Sequence, residues 1–330
     1  MNPALAAHAV DPAALARLRA HRPEAVAEAA ARRVRRPLLG RDGRLLILAA
    51  DHPARGALGA GSGDRAMADR AGLLARLRLG LSRPGVDGVL ASADVLDDLL
   101  LLGALEGRAV MGSMNRGGLA GAAFELDDRF TGFRPEDLAR SRYDAGKLLL
   151  RLDYDDPGSL TTLHTAARAV DAMAALRLPV FVEPFLCRRV GGALRTDLGA
   201  AAVTTSLAVA SGLGGTSAYT WLKVPVTEDP EDMARVTAAT TLPVVLLGGP
   251  VGAARGGDAT YERWRSALAL PTVRGLVAGR ALLYPPDGDV AAAVDTAAAL
   301  VHGEARHEGT RALPGPSRGL PAPRGVGEEP

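Results

Sequence analysis

From Arg44 to about residue 302 the chain alternates between short apolar runs and longer segments of helical composition. The runs are Leu45–Ala50, Val86–Ala91, Ala109–Ser113, Lys147–Leu152, Pro179–Glu183, Tyr219–Val224, Pro243–Leu247 and Gly275–Ala278. The segments that follow them are 65–82, 93–105, 135–142, 157–177, 199–212, 229–239, 258–269 and 288–302. Strand followed by helix, repeated, implies parallel strands. The runs are apolar on both faces, as strands covered by helices should be. Eight such units in roughly 260 residues predict an α/β fold, a (β/α)8 TIM barrel. An open doubly wound sheet would place a glycine-rich phosphate loop after its first strand. Asp51-His52-Pro53-Ala54-Arg55-Gly56 lacks that pattern, and the glycine pairs follow later runs.

Three parts are expected: an N-terminal helical extension over 1–40, the barrel over 41–302 and a disordered tail over 303–330. Residues 1–36 are rich in Ala and Arg and read as helix, with Asp11-Pro12 as cap and first turn. The extension should cover the barrel's bottom or a neighbouring subunit of a homo-oligomer. Arg32, Arg33, Arg35 and Arg36 cluster at its end. They read as cations at a helix C-terminus, with an anion site as the sharper alternative. After Gly303 the chain is Pro, Gly, Arg and Glu with few large apolar residues.

A formal net charge of +2 is too small to argue for nucleic acid or membrane as a partner. Cys187 is the only cysteine, so no intrachain disulfide can form. Met1–Val10 lacks a basic segment followed by an apolar one, and no apolar run approaches the ~20 residues that span a bilayer. A cytoplasmic location is expected.

Lysine use is the sharper signal. Of 39 basic residues, only Lys147 and Lys223 are lysine. Both sit in predicted strands. An ammonium can lose its proton and attack a carbonyl to form an imine, whereas a guanidinium stays charged. On a strand, Tyr219, Trp221 and Lys223 share one face. Burial disfavours the charged form of such an amine, and a second cation nearby does the same. A lysine snorkelling from a strand end is the bland alternative.

In a barrel, chemistry gathers at the C-terminal ends of the strands. Asp51 and His52 end the first run, and Asn115 follows the third. Lys147 and Arg151 lie in the fourth, Glu183 ends the fifth and Lys223 lies in the sixth. Gly248-Gly249 and Gly279-Arg280 follow the last two. Glycines permit close backbone approach to an anion, and Arg280 adds a charged fork, so these ends read as a phosphate site. Glu183 suits proton shuttling, with an ion pair to Lys147 or Arg151 as the structural alternative. Asp51 could orient a lysine or bind a hydroxyl. No H-x-H, H-E-x-x-H or Cys/His cluster is present, so no metal and no cofactor are expected. Cys187 reads as a buried, inert thiol.

Four stretches resemble class I, Schiff-base aldolases of the branch that includes tagatose-bisphosphate, sulfofructose-phosphate and archaeal-type fructose-bisphosphate aldolases. They are Leu48-Ala49-Ala50-Asp51-His52; Lys147–Arg151 with Asp153-Tyr154-Asp155; Leu222–Val226; and Leu247–Pro250 with Val277–Arg280. Across Leu45–Leu300 the chain is most similar to an actinobacterial aldolase-like barrel family associated with myo-inositol degradation, often labelled deoxyribose-phosphate aldolase. Two departures are visible: no lysine follows Gly248-Gly249-Pro250, and His52 precedes proline instead of glycine.

The resemblance implies an imine on Lys223, with Glu183, Lys147 and Asp51 as its catalytic neighbours. It also implies substrate or phosphate contacts from His52, Asn115, Arg151, Gly248, Gly249, Gly279 and Arg280. The implied partner is a phosphorylated sugar, for instance a dehydro-deoxy-phosphogluconate cleaved to dihydroxyacetone phosphate and malonate semialdehyde. Deoxyribose phosphate is the alternative substrate. A sugar-phosphate isomerase or epimerase, or a non-catalytic sugar-phosphate-binding regulator, are the alternative functions.

Overall fold

Nine strands form in the computed structural model, which describes residues 3–249 and 257–303. They are β1 Leu45–Ala50, β2 Gly88–Ala91, β3 Ala109–Ser113, β4 Ala145–Leu152, β5 Val180–Val190, β6 Ala193–Thr196, β7 Thr220–Val224, β8 Val244–Leu247 and β9 Val273–Ala278. Eight of them pair in parallel in the order β4-β3-β2-β1-β9-β8-β7-β5, and β4 pairs with β5 to close the ring. This is the expected (β/α)8 barrel. Helices such as Arg70–Ser82, Gly158–Ala175 and Ala200–Ser211 cover the outside.

Side-chain alternation sorts each strand into an inner and an outer row. Leu46, Leu48 and Ala50 of β1 join the large core between strands and helices. Leu45, Ile47 and Ala49 point into the barrel, where they meet Leu90, Met111, Phe181, Val245 and Val277. Phe181 and Trp221 stack there at 5.1 Å between ring centroids. Leu38 and Leu39 pack against this inner cluster from the extension. The bottom of the barrel is therefore plugged by apolar side chains, and the open end is the C-terminal one.

The extension is three helices, Pro3–Ala6, Pro12–His21 and Ala25–Arg32, not one. Asp11 caps the second, accepting from Ala13 N at 2.9 Å. Arg22 and Pro23 follow its end, where proline opposes continuation.

Of the arginine cluster, Arg32 is a helix-end cation, in the last turn of Ala25–Arg32; Arg33, Arg35 and Arg36 form neither an anion site nor a set of helix-end cations. Arg33 is fully buried and donates to Arg108 O at 2.8 Å, Arg142 O at 2.5 Å and Asp144 Oδ2 at 3.3 Å. Arg35 reaches Asp144 Oδ1 at 2.8 Å, and Arg36 reaches Asp87 Oδ1 at 2.5 Å. Both carboxylates also accept from strand backbone, Asp144 from Val110 N and Asp87 from Leu46 N. The cluster thus bolts the extension to the entry ends of the strands.

The fifth run also continues further than expected. β5 extends to Val190 and returns as β6 in an antiparallel hairpin, with Cys187 opposite Thr196. Gly191 and Gly192 have φ of 57° and 80°, the conformation a two-residue hairpin turn requires. That Gly-Gly pair was the available signal. Cys187 is buried, with Sγ 3.7 Å from Thr196 Oγ1. The segment beyond Gly303, expected as a tail, lies outside the described residues.

Candidate active site

The inner rows of β4, β5 and β7 continue upward as Lys147, Glu183 and Lys223. These strands are neighbours in the ring, so the three side chains meet. Lys147 Nζ lies 2.6 Å from Glu183 Oε2 and 2.9 Å from Asp51 Oδ2. Lys223 Nζ lies 3.1 Å from Glu183 Oε1. Asp51, just past β1, reaches Lys147 from across the barrel. Lys147, Glu183 and Lys223 are all at least nine-tenths buried.

The two amines differ because their partners differ. An ion contact near 3 Å is worth about 5 kcal/mol at an effective dielectric of about 20, before desolvation is counted. Lys147 makes two such contacts and Lys223 makes one. Burial alone would lower the pKa of Lys147, but Asp51 and Glu183 outweigh it and push it up. At Lys223 burial dominates; Glu183 opposes it, the Lys147 charge adds to it, and the pKa falls. Burial would raise both carboxylates. Lys147 and Lys223 bring Glu183 down to about 2, and Lys147 holds Asp51 well below the usual range. The resting cluster is two carboxylates, one firmly held ammonium and one amine poised to lose its proton.

These groups form the floor of a cavity of about 870 Å³ at the C-terminal end of the strands. That volume suits a small ligand. His52, Gly248, Gly249, Gly279 and Arg280 all line it. His52 opens a short 3-10 turn, and its Nδ1 has no hydrogen-bond partner, lying 3.7 Å from Asp51 Oδ1. Burial holds its pKa down at about 4, so the ring is neutral near pH 7.

Gly279 sits against β1. A Cβ there would lie 2.1 Å from Ala49 O, so no side chain fits. Gly249 has φ +63°, a conformation glycine adopts freely. The chain from Pro250 to 256, which follows this glycine pair, lies outside the described residues. The Arg280 guanidinium has no hydrogen-bond or ion-pair partner among the described residues; burial lowers its pKa against the pull of Asp51 and Glu183.

Two of the expected contacts have partners within the protein. Arg151 points away from the cavity, donating to Gly117 O at 3.1 Å and pairing with Glu125. Asn115 lines the cavity, but its amide is occupied: Nδ2 donates to Asp128 Oδ2 and Leu149 O, and Oδ1 accepts from Leu149 N. It braces the β3 exit against β4.

Sequence reasoning missed other lining groups, among them Arg55, Arg116, Thr227, Arg263 and Trp264. Arginine is this chain's ordinary surface cation, so Arg55, Arg116 and Arg263 did not stand out. No group of His, Cys, Asp and Glu suited to hold a metal occurs among the described residues. No helix among them is long and apolar enough to cross a membrane.

A family model described as Cgl0159-like matches residues 43–298. The crystal structure of Cgl0159 from Corynebacterium glutamicum is 52% identical in sequence, with a TM-score of 0.83, covering 88% of this chain and 96% of that one. A Schiff base-forming fructose-1,6-bisphosphate aldolase shares the fold at 18% identity and a TM-score of 0.60, covering 84% of this chain and 100% of its own. A fructose-bisphosphate aldolase from Slackia heliotrinireducens does so at 17% identity and a TM-score of 0.56, covering 82% of this chain and 88% of its own. No curated protein matches the chain.

Proposed function

The chain belongs to the Cgl0159-like family, and we propose that it is a class I aldolase whose Lys223 forms an imine with a phosphorylated keto sugar or sugar acid. One observation carries this reading. A buried amine with a lowered pKa sits on the floor of a cavity, 3.1 Å from a carboxylate that can take its proton. That is the arrangement a nucleophilic lysine requires.

Neutral Lys223 Nζ attacks the ketone carbon. The carbonyl oxygen takes a proton from the Lys147 ammonium, and the carbinolamine then loses water to leave an iminium. A carboxylate, Glu183 or Asp51, removes the proton of the hydroxyl two carbons away. The carbon–carbon bond between them breaks, its electron pair flows into the iminium and an aldehyde departs. The enamine carbon takes a proton back, and water hydrolyses the iminium to free Lys223. Glu183 is suited to both directions. It is ionised while both amines are charged, and its pKa rises when Lys223 gives up its proton.

Gly248, Gly249, Gly279 and Arg280 would hold the phosphate. Binding energy realised there, remote from the reacting carbon, positions the ketone over Lys223. The finer assignment is a dehydro-deoxy-phosphogluconate cleaved to dihydroxyacetone phosphate and malonate semialdehyde. The test is borohydride reduction of the protein with each of a panel of phosphorylated ketoses, followed by peptide mass mapping. A stable adduct on Lys223 is expected, with dihydroxyacetone phosphate among the products. Adducts elsewhere, or none across the panel, would remove the mechanism.

A further inference from the structure

The cavity carries a second cationic end. Arg55, in the turn after β1, lines it and is about four-fifths buried. Its guanidinium makes one hydrogen bond among the described residues, from Nη2 to Glu125 Oε1 at 3.2 Å. Its Nε has no partner. Glu125 is also the partner of Arg151, so two guanidiniums share one carboxylate. The nearby Asp128 does not make up the balance. It accepts from Asn115 and from the backbone N–H groups of Arg116, Gly117 and Gly118. The Arg116 guanidinium lines the same cavity and, among the described residues, donates only to Thr131 Oγ1 and Ala54 O.

This excess of positive charge is not part of the phosphate cradle. Arg280 follows β9 and Arg55 follows β1, the strand paired with β9, but the Arg55 guanidinium is tied through Glu125 to Arg151 of β4. In the closed ring of eight, β4 stands four places from β9 and so directly across from it. Burying a guanidinium that has only half a counter-ion is costly unless something else supplies the negative charge. Arginine's planar fork suits a carboxylate or a phosphate.

Building on the imine reading above, we propose that Arg55, with Arg116, forms a second anion subsite that selects substrates anionic at both ends. The phosphate occupies the glycine-lined end, and a carboxylate or a second phosphate meets Arg55. Arg151 acts as a positioning residue, since it holds Glu125 and thereby the Arg55 fork.

Calorimetric titration of the full chain separates this from the imine mechanism. The probes are dihydroxyacetone phosphate, with one anionic end, and fructose 1,6-bisphosphate and 6-phosphogluconate, with two. The wild type should bind at least one two-ended probe tenfold or more tightly than the one-ended probe. Arg55→Gln should abolish that preference while changing dihydroxyacetone phosphate binding less than twofold. Arg280→Gln should weaken all three. Arg55→Lys, which keeps the charge, should retain part of the preference and controls for folding. Whichever two-ended probe binds more tightly identifies carboxylate or phosphate as the better fit. A wild type with no preference, or an Arg55→Gln variant that keeps it or weakens all probes alike, overturns the subsite. Loss of borohydride trapping with the preference intact would count against the imine alone.

Discussion

Glu183 pairs with Lys223 at 3.1 Å through one oxygen and with Lys147 at 2.6 Å through the other. One carboxylate therefore connects the only two lysines in the chain. The shorter contact belongs to the amine with a second carboxylate partner, and the longer to the amine without one. This asymmetry makes the roles of the two lysines separable by experiment.

Replacing Lys147 with Met removes a cation beside Lys223 and releases two carboxylates toward it. Both changes raise the Lys223 pKa. A rise of one unit leaves about tenfold less neutral amine near pH 7. The rate of borohydride trapping should fall by at least that factor at pH 7, since the proton donor to the carbonyl oxygen is lost as well, and its pH profile should shift upward. An unshifted pH profile would show that Lys147 does not tune Lys223.

Glu183→Gln should separate imine formation from bond cleavage. The variant keeps a neutral partner for both amines but loses the base. Removing a positioned acid–base group typically costs about 10²–10⁴ in rate. Turnover should fall within that range while a Lys223 adduct still forms on reduction. Turnover within threefold of wild type would assign the base to another group.

At the other end of the barrel, Arg33→Ala should destabilise without touching the chemistry. It strands part of a buried network around Asp144 and leaves two carbonyls without their donor. Breaking a buried pair by removing one partner costs about 3–5 kcal/mol. Urea denaturation should show a loss of that order, with activity per folded molecule unchanged. A loss below about 1 kcal/mol would mean that Arg35 alone suffices to hold Asp144.

His302 ends the last helix and links it to the barrel's underside. Its Nδ1 meets Asp42 Oδ2 at 2.5 Å, and its Nε2 meets Gly85 O at 2.9 Å and Asp87 Oδ2 at 3.3 Å. Both ring nitrogens face acceptors, so the imidazolium is the form that fits. Burial opposes it, but Asp87 and Asp42 win and raise the pKa to about 9. Arg36 shares Asp87 and is the other charge at this contact. A raised folded pKa means the stabilisation is complete below the ordinary value of 6.5 and is lost as pH rises through about 9. The difference in Tm between wild type and His302→Gln should be largest near pH 6 and shrink by pH 10. A difference independent of pH would remove the charged contact.

Much of the barrel was legible because its signals are local. Burial on both faces makes a strand such as Leu45–Ala50 continuously apolar, and strand period gives Lys147 and Lys223 inward parity and puts Glu183 on the side of Phe181. Lys223 stood out against an arginine-rich background, for a reason of side-chain chemistry. What stayed illegible depends on pairing between distant segments. Arg33 finds its carboxylate 111 residues away, and Arg55 finds Glu125 70 residues away. Arg151 shares the parity of Lys147 on β4, yet its contacts could not be foreseen, because Glu125 comes from a loop with no periodicity of its own.

The order of strands and helices, the inward parity of the reactive side chains and the glycines at the late strand ends all follow from the sequence by itself, since each depends on residues within a turn or a strand of one another. Only closure of the ring decided which lysine is held by two carboxylates, which arginines face the cavity and which serve as bolts. Charges far apart along the chain acquire their partners, and hence their protonation states, when the backbone brings them within about 3 Å and excludes the water that would otherwise screen them.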